Sequence, residues 1–441
     1  MTKHFLIPAF AMLLLAQIGH AQEAKNLSLN EAIQLSLQNS KQLKLNMAKL
    51  KEANAAVKEA KDNTLPDLKA SASYIALNNP SVDLKVKLGS GSGGGGGISV
   101  NSASYLMVNA SMPLFAGGRI HYGIESAKYL KEAAELDVDQ NKDELVQNTI
   151  SAYGNLFKAK QAVEMMKENL RESKQRVEDF KNLEKNGLMA RNDLLKAELQ
   201  QSNVELALMD AENSYKLTYT NMNLMLGLPE DTELLADSSS FSNIIDDGTV
   251  ISWEQTAFKN RKDMYALTAR AKAANYGIKI AKSSYYPALA LTGGLIELNV
   301  PNFITVNNAM NAGLGLQYNF ASLWKNGAKV AEARARFEEV EASKEILADA
   351  IRIQINQAYE NYFLSRKKIE VYNNALEQAD ENYKITKNKY ANSLATTTDL
   401  LDADVALLQA RLNFAFSKVD AAIAYKKLEE VAGIVLTKPK K

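Results

Sequence analysis

Asn186-Gly187-Leu188-Met189-Ala190-Arg191-Asn192-Asp193 interrupts a proline-free helical pattern that opens at Gly117-Gly118 and closes at Gly227-Leu228-Pro229. The second half of the chain repeats the arrangement. There Asn392-Ser393-Leu394-Ala395-Thr396-Thr397-Thr398-Asp399 breaks a pattern that opens near Lys325-Asn326-Gly327 and closes at Gly433. Tyr153 and Tyr359, Asp193 and Asp399, and Gly227 and Gly433 are each 206 residues apart. One offset shared by three landmarks marks an internal duplication, and the duplicated unit is a very long helical hairpin.

At a rise of ~1.5 Å per residue, the run from Gly118 to Leu183 predicts a helix of roughly 100 Å. Helices of ordinary globular domains stop near ~20 residues, so a coiled coil or a helical tube is expected. Leu401, Val405, Leu408, Leu412, Ala415, Val419 and Ala422 alternate steps of four and three, the seam of a coiled coil. Leu195, Leu199, Leu206 and Met209 keep matching places in the first copy, where Ser202 and Asn213 weaken the seam.

Residues 1–21 read as a secretory signal: Lys3, an apolar run from Phe5 to Ile18, and Gly19-His20-Ala21 as the cleavage site. Pro8 interrupts that run, which is short for an anchor, and no later stretch has the ~18 apolar residues of a spanning helix. The chain has no cysteine, so neither a disulfide framework nor a lipid-modified N-terminus is available. Its net charge is +1, with Lys and Glu interleaved rather than striped, which argues against a nucleic-acid partner.

Ser28-Leu29-Asn30-Glu31 and Ser252-Trp253-Glu254-Gln255 read as capping boxes, each opening a helical segment that ends at a proline, Pro66 or Pro287. The period then changes to two. Leu68, Ala70, Ala72, Tyr74 and Ala76 alternate with Asp67, Lys69, Ser71 and Ser73, and Leu106, Val108, Ala110, Met112 and Leu114 alternate with Tyr105, Met107, Asn109 and Ser111. Leu289, Leu291, Gly293 and Leu295 in the second half precede Ala312, Leu314, Leu316, Tyr318 and Phe320. Ten-residue alternation with one apolar and one small or polar face is the pattern of outer-membrane strands. Phe115, Tyr285, Tyr286, Tyr318 and Phe320 on the helix side, and Tyr74 and Tyr105 on the loop side, suggest two aromatic girdles. The first hairpin loop has seven glycines in residues 89–97, and lacks the Gly-Lys-Ser/Thr of a phosphate-binding loop; a flexible exposed loop is expected. Four strands cannot close a barrel, because barrels begin at about eight strands and lipid tolerates no unpaired edge. Copies must therefore assemble in a ring; two would give eight strands and three would give twelve.

The duplicated order of capped helix, proline, strand hairpin, helical hairpin and closing Leu-Gly-Leu-Pro resembles the TolC-like outer-membrane efflux (outer-membrane factor) family. The likeness covers nearly all of the chain after residue 21. It implies a fold that is mainly α with membrane β, a homotrimer with a twelve-stranded barrel in outer-membrane lipid, and an α-helical tunnel in the periplasm. It also implies an adaptor protein and an inner-membrane pump of the RND, ABC or similar class as partners. On this reading residues 1–21 are the signal, 22–229 the first repeat, 230–251 a linker, 252–433 the second repeat and 434–441 a tail. A trimeric coiled-coil adhesin or stalk is the alternative.

Residue inventory argues against catalysis and cofactors. His4 and His20 fall in the signal, leaving His121; with no cysteine there is no His/Cys metal cluster and no thiol nucleophile. In a pore the working feature is charge at a constriction, expected at the far ends of the helical hairpins. Asp399 and Asp402, at i and i+3, share one helix face, and threefold symmetry would gather six carboxylates around an axis. The same two aspartates match the entrance ring of the resembled family, although a helix-capping Asp399 with a solvated Asp402 is the other reading. The resemblance further implies a closed-state lock between Tyr390 and Asp193. The basic residue that the family carries four before the aspartate is Ala395 here, with Arg191 a candidate substitute. Gly187, Leu188, Met189, Asn392, Ser393 and Leu394 would be the adaptor-facing tips, and tight-turn chemistry explains them equally well.

Overall fold

The computed structural model describes residues 25–78, 80, 100–237, 248–301 and 303–434. The proposed signal, the glycine-rich loop, residues 238–247 of the linker and the tail from 435 lie outside them. The described chain forms two compact units.

One unit, Met47–Asp137 with Asp263–Leu347, contains an antiparallel sheet in the order β2-β3-β5-β6, from β2 (Asp67–Ala76), β3 (Ser102–Ala116), β5 (Ala288–Val300) and β6 (Ile304–Gln317). The register places Leu68, Ala110, Gly293 and Ala312 in one cross-strand row and Met112, Leu291 and Leu314 in the next. Lys69, Asn109, Gly294 and Asn311 form a row on the opposite face. Alternation in the sequence therefore becomes one apolar and one small or polar face. Neither face is covered by a core: Leu68 is 71% exposed, Leu316 72% and Met310 80%. Tyr74 lies on the apolar face, but Tyr105 pairs with Ser73 and Leu298 on the other face. The expected loop-side girdle is thereby reduced to Tyr74. A bulge between Pro113 and Phe115 carries Phe115 onto the apolar face beside Leu289.

The helical residues of this unit meet through alanines. Ala133, Ala266 and Ala269 are buried together, and such small side chains permit close backbone approach. Ser126 donates to the carbonyl of Ala273 at 3.1 Å, and Tyr129 stacks on Tyr276 with centroids 5.8 Å apart.

The other unit, Met1–Asn46, Val138–Lys262 and Ala348–Lys441, has among its described residues helices and a parallel pair, β1 (Lys25–Leu27) with β4 (Leu234–Ala236). That strand falls within the expected linker, whose sequence shows no strand pattern over so few residues. The core gathers Leu27, Tyr153, Leu156, Met222, Leu226 and Leu234, all 1% exposed or less. The duplication is legible in hydrogen bonds as well. Tyr153 donates its hydroxyl to the carbonyl of Leu27 at 2.7 Å, just before the N-cap Ser28, and Tyr359 donates to Gly248 at 3.4 Å, just before the N-cap Thr249.

Two helix starts differ from expectation. Thr249, not Ser252, caps the segment opening the second repeat, with Ser252 as the reciprocal residue of the box. Each capped segment is also two helices: α1 (Leu29–Asn39) and α2 (Lys41–Asp62), then α5 (Val250–Asn260) and α6 (Lys262–Ser283). Ser40 ends the first by turning out of helical geometry and recaps Leu43 through its hydroxyl. Arg261 does so in the second, held by the Gln354 side chain and the carbonyl of Val431.

The long helices are α3 (Arg119–Lys185), α4 (Arg191–Leu226), α7 (Ser322–Ala391) and α8 (Thr397–Val431). Helix α7 begins at Ser322, so Gly327 lies within it rather than at its start. Gly227 and Gly433 sit at positive φ, 71° and 76°, closing the two repeats where glycine takes a left-handed backbone at little cost.

Candidate pore-constriction site

The tips of the two hairpins are turns of matched chemistry. The amide of Leu188 donates to Leu183 at 2.9 Å and that of Leu394 to Lys389 at 2.8 Å, each reaching back five residues. Gly187 and Ser393 occupy the left-handed backbone position, φ 72° and 59°. Leu188 and Leu394 project outward, 74% and 76% exposed. Beneath them Val177, Phe180, Leu194, Ala197 and Leu400 form a buried cluster, with Met189, Tyr383 and Tyr390 packed against it.

Asp399 does not itself cap α8. Thr396 is the N-cap and Asp399 the third helical residue, with its Oδ2 accepting from the Thr396 amide at 2.8 Å and hydroxyl at 2.7 Å. The backbone bond from Thr396, then its hydroxyl, holds the Asp399 carboxyl below the usual carboxylate range. Asp402 is exposed one turn further on, while Leu400, Leu401 and Ala403 between and beside them are buried. Both carboxylates therefore stand on the solvent side of the helix start.

Lys196 takes the place that Asp402 has in the second copy. Its Nζ donates to Asp193 at 3.4 Å and to the hydroxyl of Thr398 at 3.2 Å, linking the starts of α4 and α8. The structure does not join Tyr390 to Asp193. The Tyr390 ring stacks on Phe180, centroids 5.8 Å apart, and its hydroxyl accepts from Thr397 at 3.5 Å. Arg191 faces Glu184 across its own turn at 4.0 Å and reaches no further.

The sequence reading missed Arg176 and Asp404. Arg176 Nη1 donates to Asp404 Oδ2 at 2.8 Å, and the two side chains are 11% and 8% exposed. The signal was present: Asp404 interrupts the series Leu400, Asp404, Leu407 on a helix face otherwise apolar. The seam expected on α8 is also only part of its buried surface, since Val405 is 46% exposed while Leu407 and Ala410 are buried. On α4 the expected seam is bare, with Leu199, Leu206 and Met209 at least 60% exposed.

The outer membrane efflux protein family model matches residues 32–228 and 253–434. The chain belongs to the outer membrane efflux protein family. Membership places it in the outer membrane, with its helical part on the periplasmic side, as a channel protein rather than an enzyme. A curated relative, the alkaline protease secretion protein AprF of Pseudomonas aeruginosa, is 20% identical over 298 residues, 66% of this chain and 62% of AprF. The alignment thus spans about three-fifths of that relative's length. Among solved structures, the outer membrane protein VceC of Vibrio cholerae gives a TM-score of 0.75 at 20% identity, covering 92% of this chain and 96% of VceC. The CmeC outer membrane channel of Campylobacter jejuni gives 0.77 at 17% identity, covering 94% and 87%. The efflux-protein fold, mainly helical with few strands, is therefore that of this chain.

Proposed function

We propose that three copies of this efflux-family chain close a twelve-stranded barrel over a helical tunnel. The assembly would be a passive exit duct for drugs, metabolites or secreted polypeptide. An adaptor and an inner-membrane pump would drive it, the adaptor meeting the tips around Leu188 and Leu394. The observation that carries this reading is the sheet β2-β3-β5-β6, which among the described residues ends in two free edges and has no core on either face. In lipid each unpaired backbone group costs several kcal/mol. A rotation that sets β6 beside a neighbour's β2 removes both edges at once. The helical unit has an uncovered stripe of its own, Leu195, Leu199, Leu206 and Met209 on α4, for a neighbouring copy to meet. Helix α7 offers another stripe, with Ile353, Leu364, Val371 and Ile385 all 45% exposed or more.

Within that duct Asp399 and Asp402 form the acidic constriction. Both are exposed, and Asp399 is held ionised by its cap. Six such carboxylates around one axis favour cations and disfavour anions. Chemical cross-linking in detergent should yield a species of three chains, and planar bilayers should show discrete conductance steps. A chain that stays monomeric and soluble without detergent would sink the proposal. Asn at both 399 and 402 should move the reversal potential in a KCl gradient toward the unselective value. An unmoved reversal potential in a working channel rejects the ring alone.

A further inference from the structure

We propose that the outer mouth of the duct carries an apolar collar that binds the apolar part of amphipathic solutes as they leave. The collar rests on the duct reading and adds the place, and the chemistry, by which its wall holds cargo.

The collar arises from an exchange of faces within the sheet. Near the helices Leu289, Leu291 and Leu295 of β5 share the apolar face with Leu316, Leu314 and Met310 of β6. Toward the loops the same face turns polar, with Glu297 and then Asn299 in a row with Ser104 and Thr305. The opposite face turns apolar at this level. Tyr105, Leu298 and Val306 lie in one row, and Val300 and Ile304 in the next.

On β6 a bulge makes the exchange. Ile296 pairs with Ala309 and Leu298 with Val306, so Glu297 alone stands opposite both Asn307 and Asn308. Asn308 takes a left-handed backbone, φ 54°, which asparagine accepts better than most residues. Strict alternation from Met310 would set Val306 and Ile304 on the lipid face; the bulge carries both to the other.

The exchange falls where the lipid ends. Leu106 to Phe115, the apolar side of β3, measure roughly 30 Å of strand at about 3.4 Å per residue, which once tilted matches the ~25 Å apolar band of outer-membrane barrels. Lipid is not the occupant of the collar, because at its level the outward face carries Glu297, Asn299 and Thr305. Inside a duct these rows meet water, and Ile304 is 44% exposed. A ring of copies repeats the patch around the axis and offers apolar wall on every side. A wall of this kind, open and shallow, suits contact strong enough to draw a solute on and weak enough to release it.

Single channels in planar bilayers are recorded in KCl with butyl-, hexyl- or octyltrimethylammonium added on both sides. Dwell times of the partial blocks should rise at least threefold with every two methylenes, since one fully buried methylene is worth about fourfold. Leu298→Thr/Ile304→Thr/Val306→Thr keeps side chains suited to strands and should flatten this dependence in a channel that still conducts. Val306→Thr alone, nearly isosteric, should shorten the octyl dwell at least twofold. Thr305→Val, on the outward face, should match wild type. Dwell times independent of chain length in a conducting wild type, or an equal dependence in the triple variant, overturn the collar. A dependence that appears only after residues 82–98 are removed gives the surface to the chain's own loop and overturns the cargo reading. A chain that never conducts fails the duct, and the collar with it.

Discussion

Arg176 of α3 and Asp404 of α8 form an enclosed ion pair that ties the first repeat to the second, 228 residues apart in sequence. Removing one partner leaves the other charge buried, at a cost of about 3–5 kcal/mol, whereas replacing both with apolar residues of similar volume can be near neutral. Arg176→Met should therefore lower the thermal midpoint strongly, and Arg176→Met/Asp404→Leu should restore most of it. A double variant as unstable as the single would show that the loss does not come from a buried charge left without its partner.

Tyr390 divides its contacts between a stacked ring and a long hydroxyl contact to Thr397. The ring carries more of the packing energy, about 0.5–1.5 kcal/mol for such aromatic pairs beyond area burial. Tyr390→Phe should leave single-channel open probability close to wild type, and Tyr390→Ala should raise it. Equal opening in both variants would return the role to the hydroxyl.

Ser393 holds a left-handed backbone that its counterpart Gly187 adopts without a Cβ. The penalty for an ordinary residue in that region is about 1–2 kcal/mol. Ser393→Gly should thus stabilise the chain by about 1 kcal/mol in denaturant titration, and Gly187→Ala should destabilise it by a similar amount.

Asp399 carries a pH signature because its carboxyl is held low by the Thr396 cap. A folded value below the unfolded one means that the stabilisation is complete above the unfolded value, near 3.8, and is lost as pH falls through the folded value. Asp399→Asn should flatten the acid limb of a plot of thermal midpoint against pH below about 4, leaving the neutral region nearly parallel.

Much of this was legible in the chain because it is local. Turn chemistry at Gly187 and Asn392, left-handed glycines at 227 and 433, and period-two alternation from Leu68 to Tyr74 each act within a few residues. The helix breaks at Ser40 and Arg261 were harder, since the second depends on Gln354 and Val431 from distant helices. Strands β1 and β4 have three residues each and no room for a pattern. The facing of Tyr105 was legible too, since it precedes Leu106 in the alternation and so falls on the opposite face, where the register places it. The partners of Tyr390 and Asp193 depend on how four helix ends meet, and no spacing within one helix encodes that.

The pairing of β3 with β5 has a kinetic consequence. It joins Ser104 to Asn299, 195 residues apart, so its closure entropy is large until the intervening helices have folded and brought the two hairpins together. Helices, whose contacts are near in sequence, form first; the sheet zips last. In the interval two bare hairpins travel with sticky edges and greasy faces exposed to water, a state prone to aggregation. Refolding yield should therefore fall steeply with chain concentration until the sheet has closed, and little after it.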